Sequence, residues 1–178
     1  AIGAAAWNGK VGGVVALRAT GQVTIDGAVR ADQAGLRGGS GIKYTGSGTH
    51  VGKRGEGHNG SYNADTHTHE SGAGGGGGVT ANNDQNGPGG GGGGYGTNGG
   101  NGTRHSTTGS VGEGGKAYGD KELKALMFGA GGGSGGVTNE DGVNNTSGGG
   151  GQGGGVVFIG AKSIVLTAGS ITALGQKG

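Results

Sequence analysis

Two of the five histidines, His67 and His69, stand one residue apart and are followed by Glu70. On an extended strand alternate side chains share a face, so this spacing would bring two imidazoles and a carboxylate together, a donor set suited to zinc or nickel. A metal site at His67, His69 and Glu70 is one expectation; a solvated loop that carries histidines by chance is the other. His58, Asn59, Tyr62, Tyr95 and His105 form a second group, in which aromatic, imidazole and amide side chains on loops suit recognition of a carbohydrate or a protein. The competing account is that they cover the glycine layer and keep it soluble. Asn82-Asn83-Asp84 and Asn139-Glu140-Asp141 offer oxygen ligands of the calcium type, but they lack the spacing of a calcium loop and read as turn caps.

No catalytic signature accompanies these residues. Gly115-Lys116 has Ser110 where a phosphate loop needs glycine, and Ala117 where it needs Ser or Thr. Gly46-Ser47-Gly48 has no strand-to-helix elbow around it. Cysteine is absent, which removes thiolate sites and disulfide staples. The protein is therefore expected to be non-enzymatic and without a cofactor. The net charge of +2 is spread thinly, and Arg37-Gly38-Gly39 is a single isolated triplet, so no nucleic-acid partner is expected. No run reaches the length of a membrane-spanning helix and no signal peptide is evident, so the chain reads as a mature or excised fragment.

The elements that must position these side chains are unusual, because 56 of the 178 residues are glycine while only 29% are apolar. Proline occurs once and the Gly-X-Y register is missing, which excludes collagen. Glycine is concentrated in four runs of similar length, residues 71–78, 87–94, 129–136 and 148–155, a regularity that a flexible linker has no reason to keep. Such chains order as polyglycine II helices with three residues per turn, rising about 3.1 Å per residue, so eight residues span roughly 25 Å. With no internal hydrogen bonds, each must bond to its neighbours, and only glycine permits that approach. The expected core is backbone: Gly74, Gly75 and Gly76; Gly90, Gly91 and Gly92; Gly131, Gly132 and Gly133; Gly149, Gly150 and Gly151. The connections 79–86 and 137–147 would set the first two runs, and the last two, antiparallel.

Residues 12–35 alternate apolar and polar in three short stretches, the period of half-buried strands, with Asp26-Gly27 as a hairpin signal. Residues 154–178 repeat them at a constant offset: Gly12, Gly13, Val14, Val15, Ala19, Val23, Gly27 and Ala31 all meet identical residues. The two copies are expected to pack as one β layer, sheet on sheet or as adjacent rungs. Asp120 followed by KELKALMF is the one helical signal, a turn or two, with Leu123, Leu126 and Met127 on one face and Phe128 and Tyr118 joining a hydrophobic plug. The expected fold is thus mostly β and irregular: one glycine-rich domain over 1–178, with β units at 1–35 and 154–178 in a sheet or β-helix-like layer. These would clamp a polyglycine II bundle over 71–155, with a polar loop region at 36–70 and at most one short α-helix.

The words AAWNGKVGGVVALRATGQVTIDGAVRADQAGLRGG, GGGGGGYGTNGGNG, AYGDKELKALMFGAGGGSGG and GGQGGGVVFIGAKSIVLTAGSITALGQ, in that order, resemble a glycine-rich module of large secreted bacterial surface proteins and of some phage virion proteins. By composition the runs also resemble the polyglycine bundles of phage tail-tip adhesins, a springtail antifreeze protein and a receptor kinase domain. The resemblance implies an extracellular or cell-surface location and a structural or adhesive role, with self-association into a multimer or filament and a carbohydrate or protein receptor. A virion adhesin and an ice-binding protein are the alternatives, although the threonines keep no constant spacing. The chain departs from the module at Gly57-His58-Asn59-Gly60, where GEGY is expected, which puts any shared ligand at that loop in doubt.

Overall fold

The computed structural model describes residues 1–46, 48–59, 61–69, 74–80, 87–104, 109–120, 122–137 and 145–178. The fold is mostly β and irregular, with no helix among the described residues. Among the described residues nine strands occur in chain order: β1 (Ile2–Gly3), β2 (Val14–Arg18), β3 (Gln22–Ile25), β4 (Ala28–Arg30), β5 (His50–Val51), β6 (Val79–Thr80), β7 (Val156–Gly160), β8 (Ser163–Leu166) and β9 (Ser170–Thr172).

The two copies of the repeat are stacked as adjacent rungs. β2 pairs with β7, β3 with β8 and β4 with β9, all parallel, and β1 lies parallel on the far side of β4. Alternation buries Val15, Ile25 and Val29, with Leu17, Val23, Val157 and Ile159 packed against them. Removing each large apolar side chain from water contributes about 1.5–3 kcal/mol. This small core therefore holds the two chain ends together across the whole intervening sequence.

Two sequence expectations fail here. Asp26-Gly27 does not close a hairpin: β3 and β4 each bond to the second copy and not to each other, so the pair turns a corner between strands of one rung. Nor is the offset constant. Val14 faces Val156 and Ala28 faces Ser170, but Val23 faces Ile164 instead of its identical counterpart Val165. The second copy has one connecting residue fewer before β8 (161–162 against 19–21) and one more after it (167–169 against 26–27). A one-residue slip exchanges the two faces of a strand, and this one sets Ile164 and Leu166 beside Val23 and Ile25.

The helix expected after Asp120 is also absent among the described residues. The Asp120 carboxylate accepts the Glu122 N–H and its carbonyl accepts the Leu123 N–H, closing a single turn. Leu123 then has φ +54°, a left-handed conformation that an L side chain rarely adopts and that stops helix propagation. Leu123 and Leu126 are exposed and do not form the plug.

Between the rungs, the glycine runs bond to one another. All eight N–H groups of residues 129–136 donate to other segments, and their direction repeats every third residue. Gly131 and Ser134 donate to Glu56 and Lys53; Gly132 and Gly135 donate to Gly151 and Gly148; Gly133 and Gly136 donate to Gly91 and Pro88. In return Gly75 and Gly78 donate to Gly131 and Ser134, while Leu36 and Gly39 donate to Gly129 and Gly132. Rising numbers meet falling ones in the pairs 129–136 with 87–94 and 129–136 with 148–155, so these are antiparallel; residues 74–78 run parallel to 129–136. A Cβ on Gly75, Gly133 or Gly150 would overlap the carbonyl of Gly91, Gly76 or Gly132 respectively, so these positions admit only glycine. Ser134 is wholly buried, its hydroxyl accepting the Lys53 N–H at 2.8 Å.

Candidate functional site

The chemistry-bearing side chains collect mainly at one end of the glycine array, around Glu56. Residues 52–56 form an extended segment that bonds to 75–78, placing the Glu56 side chain beside Arg37 and Trp7. Its carboxylate accepts the Trp7 indole N–H at 3.1 Å, the Arg37 Nε at 3.0 Å and Nη2 at 3.2 Å, and the Arg37 backbone N–H at 3.1 Å. Burial opposes ionisation of Glu56, but the Arg37 guanidinium, the Arg37 N–H and the Trp7 indole outweigh it and hold the carboxyl below its ordinary value. Arg37 lies over the Tyr62 ring at 3.8 Å and reaches the Asn8 carbonyl with Nη1. Glu56, Arg37 and Trp7 are thus bonded to one another, which suits a structural clasp.

Aromatic rings continue from this clasp. Trp7 packs on Phe128 at 5.3 Å, and Tyr118 donates its hydroxyl to the Phe128 carbonyl. Tyr95 meets Tyr118 edge-on at 5.8 Å, and His58 stacks on Tyr118 at 6.1 Å. Burial, with Tyr95 adding to it, pushes the Tyr118 hydroxyl well above the usual phenol range, so it stays protonated and acts as a donor. Gly13, at φ +83°, gives Phe128 its space, since a Cβ there would meet the ring at 2.6 Å. Gly119 does the same for Tyr95. The expected plug of Phe128 and Tyr118 thus exists, built with Trp7 and Tyr95 in place of the leucines.

Of the loop residues singled out from the sequence, His58, Tyr62 and Tyr95 take part in this cap; His58 is exposed, as is Asn59 next to it in the chain. His105 lies outside the described residues. Sequence reasoning missed the grouping of Trp7, Arg37 and Glu56, which are far apart in the chain and share no local motif.

The histidine pair is arranged differently from the expectation. His67 and Thr68 lie in a bend, not a strand. The Thr66 hydroxyl accepts the Thr68 N–H at 3.2 Å and pairs with the Thr68 hydroxyl at 2.9 Å, which curls the segment. His69 Nδ1 lies 2.7 Å from Glu113 Oε2, and the Glu113 N–H donates to the His67 carbonyl. The His69 N–H, then its ring, with His67 adding charge, hold the Glu113 carboxyl below its ordinary value. Among the described residues no three His, Cys, Asp or Glu side chains are grouped so as to hold a metal ion, and Glu70 lies outside them.

The calcium-type segments 82–84 and 139–141 also lie outside the described residues. No helix among the described residues is long and apolar enough to cross a membrane. Scans against family models, curated proteins and solved structures return no match to the chain.

Proposed function

We propose that the protein is a non-enzymatic extracellular module, structural first and adhesive second, whose glycine runs form a polyglycine II bundle and whose β rungs associate with further copies. What supports the bundle is the three-residue rotation of N–H directions, the period of a helix with three residues per turn and no internal hydrogen bonds. What carries the functional conclusion is the second rung. Among the described residues β7, β8 and β9 each have a partner on one edge only, and Phe158, Ile164, Val165, Leu166 and Ile171 are exposed along them. An open edge of consecutive strands with an apolar surface favours pairing with another chain. Head-to-tail pairing that does not close gives a filament.

Sedimentation and electron microscopy test this. Multimers or filaments at micromolar concentration are expected, and Phe158→Lys with Ile164→Lys should return the protein to folded monomers whose melting temperature no longer depends on concentration. A wild-type chain that stays monomeric at every concentration would remove the self-association. A second reading, a virion adhesin with its recognition tip at the aromatic cap, is favoured by the exposure of His58 on that cap and of Asn59 next to it in the chain. Binding of cells or surface glycans that His58→Ala with Asn59→Ala abolishes would support it.

A further inference from the structure

Around residues 129–136 one place is open among the described residues. A three-residue turn gives each strand three donor and three acceptor directions, hence six neighbours. Around residues 129–136 five places are filled, by 87–94, 74–78, 53–56, 36–39 and 148–153, and each is documented by hydrogen bonds. The order is fixed by bonds between the neighbours themselves: Gly91 to Gly76, Gly55 to Gly75, Glu56 to Arg37, and Gly150 to Gly39. The sixth place lies between 87–94 and 148–153, and it is a groove of about 1140 Å³.

The backbone groups that belong to this sixth direction are unused. In 129–136 the carbonyls of Ala130, Gly133 and Gly136 receive no N–H among the described residues, although Gly129, Gly131, Gly132 and Ser134 all do. In 87–94, Gly89 and Gly92 donate to one side and Gly91 to another, while Gly90 and Gly93 donate to nothing described. In 148–153, Gly150 and Gly153 donate to 36–39, and the carbonyls of Gly148 and Gly151 accept from Gly135 and Gly132, while the N–H groups of Gly148 and Gly151 donate to nothing described. The groove therefore offers donors on one wall, acceptors on its floor and donors on the other wall. That alternation, at three-residue spacing, is what one further strand of the same kind requires. Gly132 and Gly135 on the floor have no side chain to obstruct it, and Leu123, Leu126 and Met127 close one end.

We propose that this groove binds an extended glycine-rich segment of a partner polypeptide, which takes the sixth place of the array in the polyglycine II conformation. The proposal rests on the bundle described under Proposed function. The partner segment accepts from Gly90, Gly93, Gly148 and Gly151 and donates to Ala130, Gly133 and Gly136. Its recognition excludes side chains, so specificity lies in glycine content, with the leucine-lined end favouring a small apolar residue at one terminus of the segment.

The probe is a labelled synthetic peptide, GAGGGSGG with flanking lysines, titrated onto the whole protein and followed by fluorescence anisotropy and amide hydrogen exchange. Saturable binding is expected, together with new protection of the Gly90 and Gly93 amides. A Cβ at Gly135 has its nearest neighbours at 3.6 and 3.9 Å, so Gly135→Val should fold normally yet weaken binding at least tenfold. A control peptide with valine at alternate glycines should not bind. Equal binding of the control peptide, undiminished binding by Gly135→Val, or no binding to a protein whose residues 129–136 are protected would each overturn the proposal. Failure of the underlying bundle shows separately, as unprotected amides at 129–136 before any peptide is added.

Discussion

The β rungs and the glycine array stabilise the same chain by opposite means. In the rungs Val15, Ile25 and Val29 are buried and the backbone serves as scaffold for them; in the array the backbone is itself most of the buried material, with only small side chains such as those of Ala130 and Ser134 admitted. The rungs contribute mainly through apolar area removed from water, which degrades gradually as methyl groups are lost. The array depends on hydrogen bonds between strands in direct contact, which one Cβ at a closed position separates. A chain with only 29% apolar residues can fold because most of its interior needs none.

The largest effect that would sharpen this contrast is Gly133→Val, where the new Cβ would overlap the Gly76 carbonyl. Failure to fold, or a melting temperature lowered by well over roughly 10 °C, is expected by thermal denaturation. Ile25→Ala in the rungs should cost about 2–5 kcal/mol, or roughly 4–20 °C at this chain length. If Ile25→Ala proved the more damaging, the rungs would be the principal core and the contrast would fail.

Acid should act on the clasps that join segments. Asp32 accepts the Leu174 N–H and the Thr172 hydroxyl, which lower its pKa from 3.8, and Glu56 and Glu113 are both lowered from 4.5. Depressed carboxyls contribute their stability fully above those ordinary values and lose it as the pH falls through the folded ones. The melting temperature should be level from neutral pH to about 5 and decline below about 4.5. Glu56→Gln should lower the neutral value and flatten that decline; an unchanged acid slope would show that the Arg37–Glu56 clasp is not among its causes.

The smallest effect distinguishes neighbouring glycines. A Cβ at Gly91 would overlap the Glu113 carbonyl, whereas one at Gly92 would lie 3.3 Å from its nearest neighbour, the Gly100 nitrogen. Gly92→Ala should therefore shift the melting temperature by only a few degrees, and Gly91→Ala by much more. Equal tolerance at both would indicate a loose run without a fixed three-residue rotation.

Much of this architecture was legible in the residues. The four glycine runs and the repeated strand pattern marked the array and the rungs, and the connections 79–86 and 137–147 gave the antiparallel order that the hydrogen bonds show. The slip at β8 was hidden because Val23 and Val165 are identical and favour an unbroken alignment, while the compensating connections on either side carry no pattern of their own. The helix after Asp120 was a matter of local propensity overruled by the left-handed Leu123. The clasp at Glu56 could not be read, since Trp7 and Arg37 reach it across 49 and 19 residues. Gly13 and Gly119, small residues facing Phe128 and Tyr95, were signals of the aromatic cap that only the packing makes intelligible.

The central claim is that residues 129–136 are an ordered, hydrogen-bonded interior strand of glycine. Residue-resolved amide hydrogen exchange by NMR tests it most directly. All eight N–H groups have partners, so protection throughout this run, comparable with that of β2 and β7, is the predicted result. Exchange at the rate of an unfolded chain along the run, with protection confined to the rungs, would contradict it.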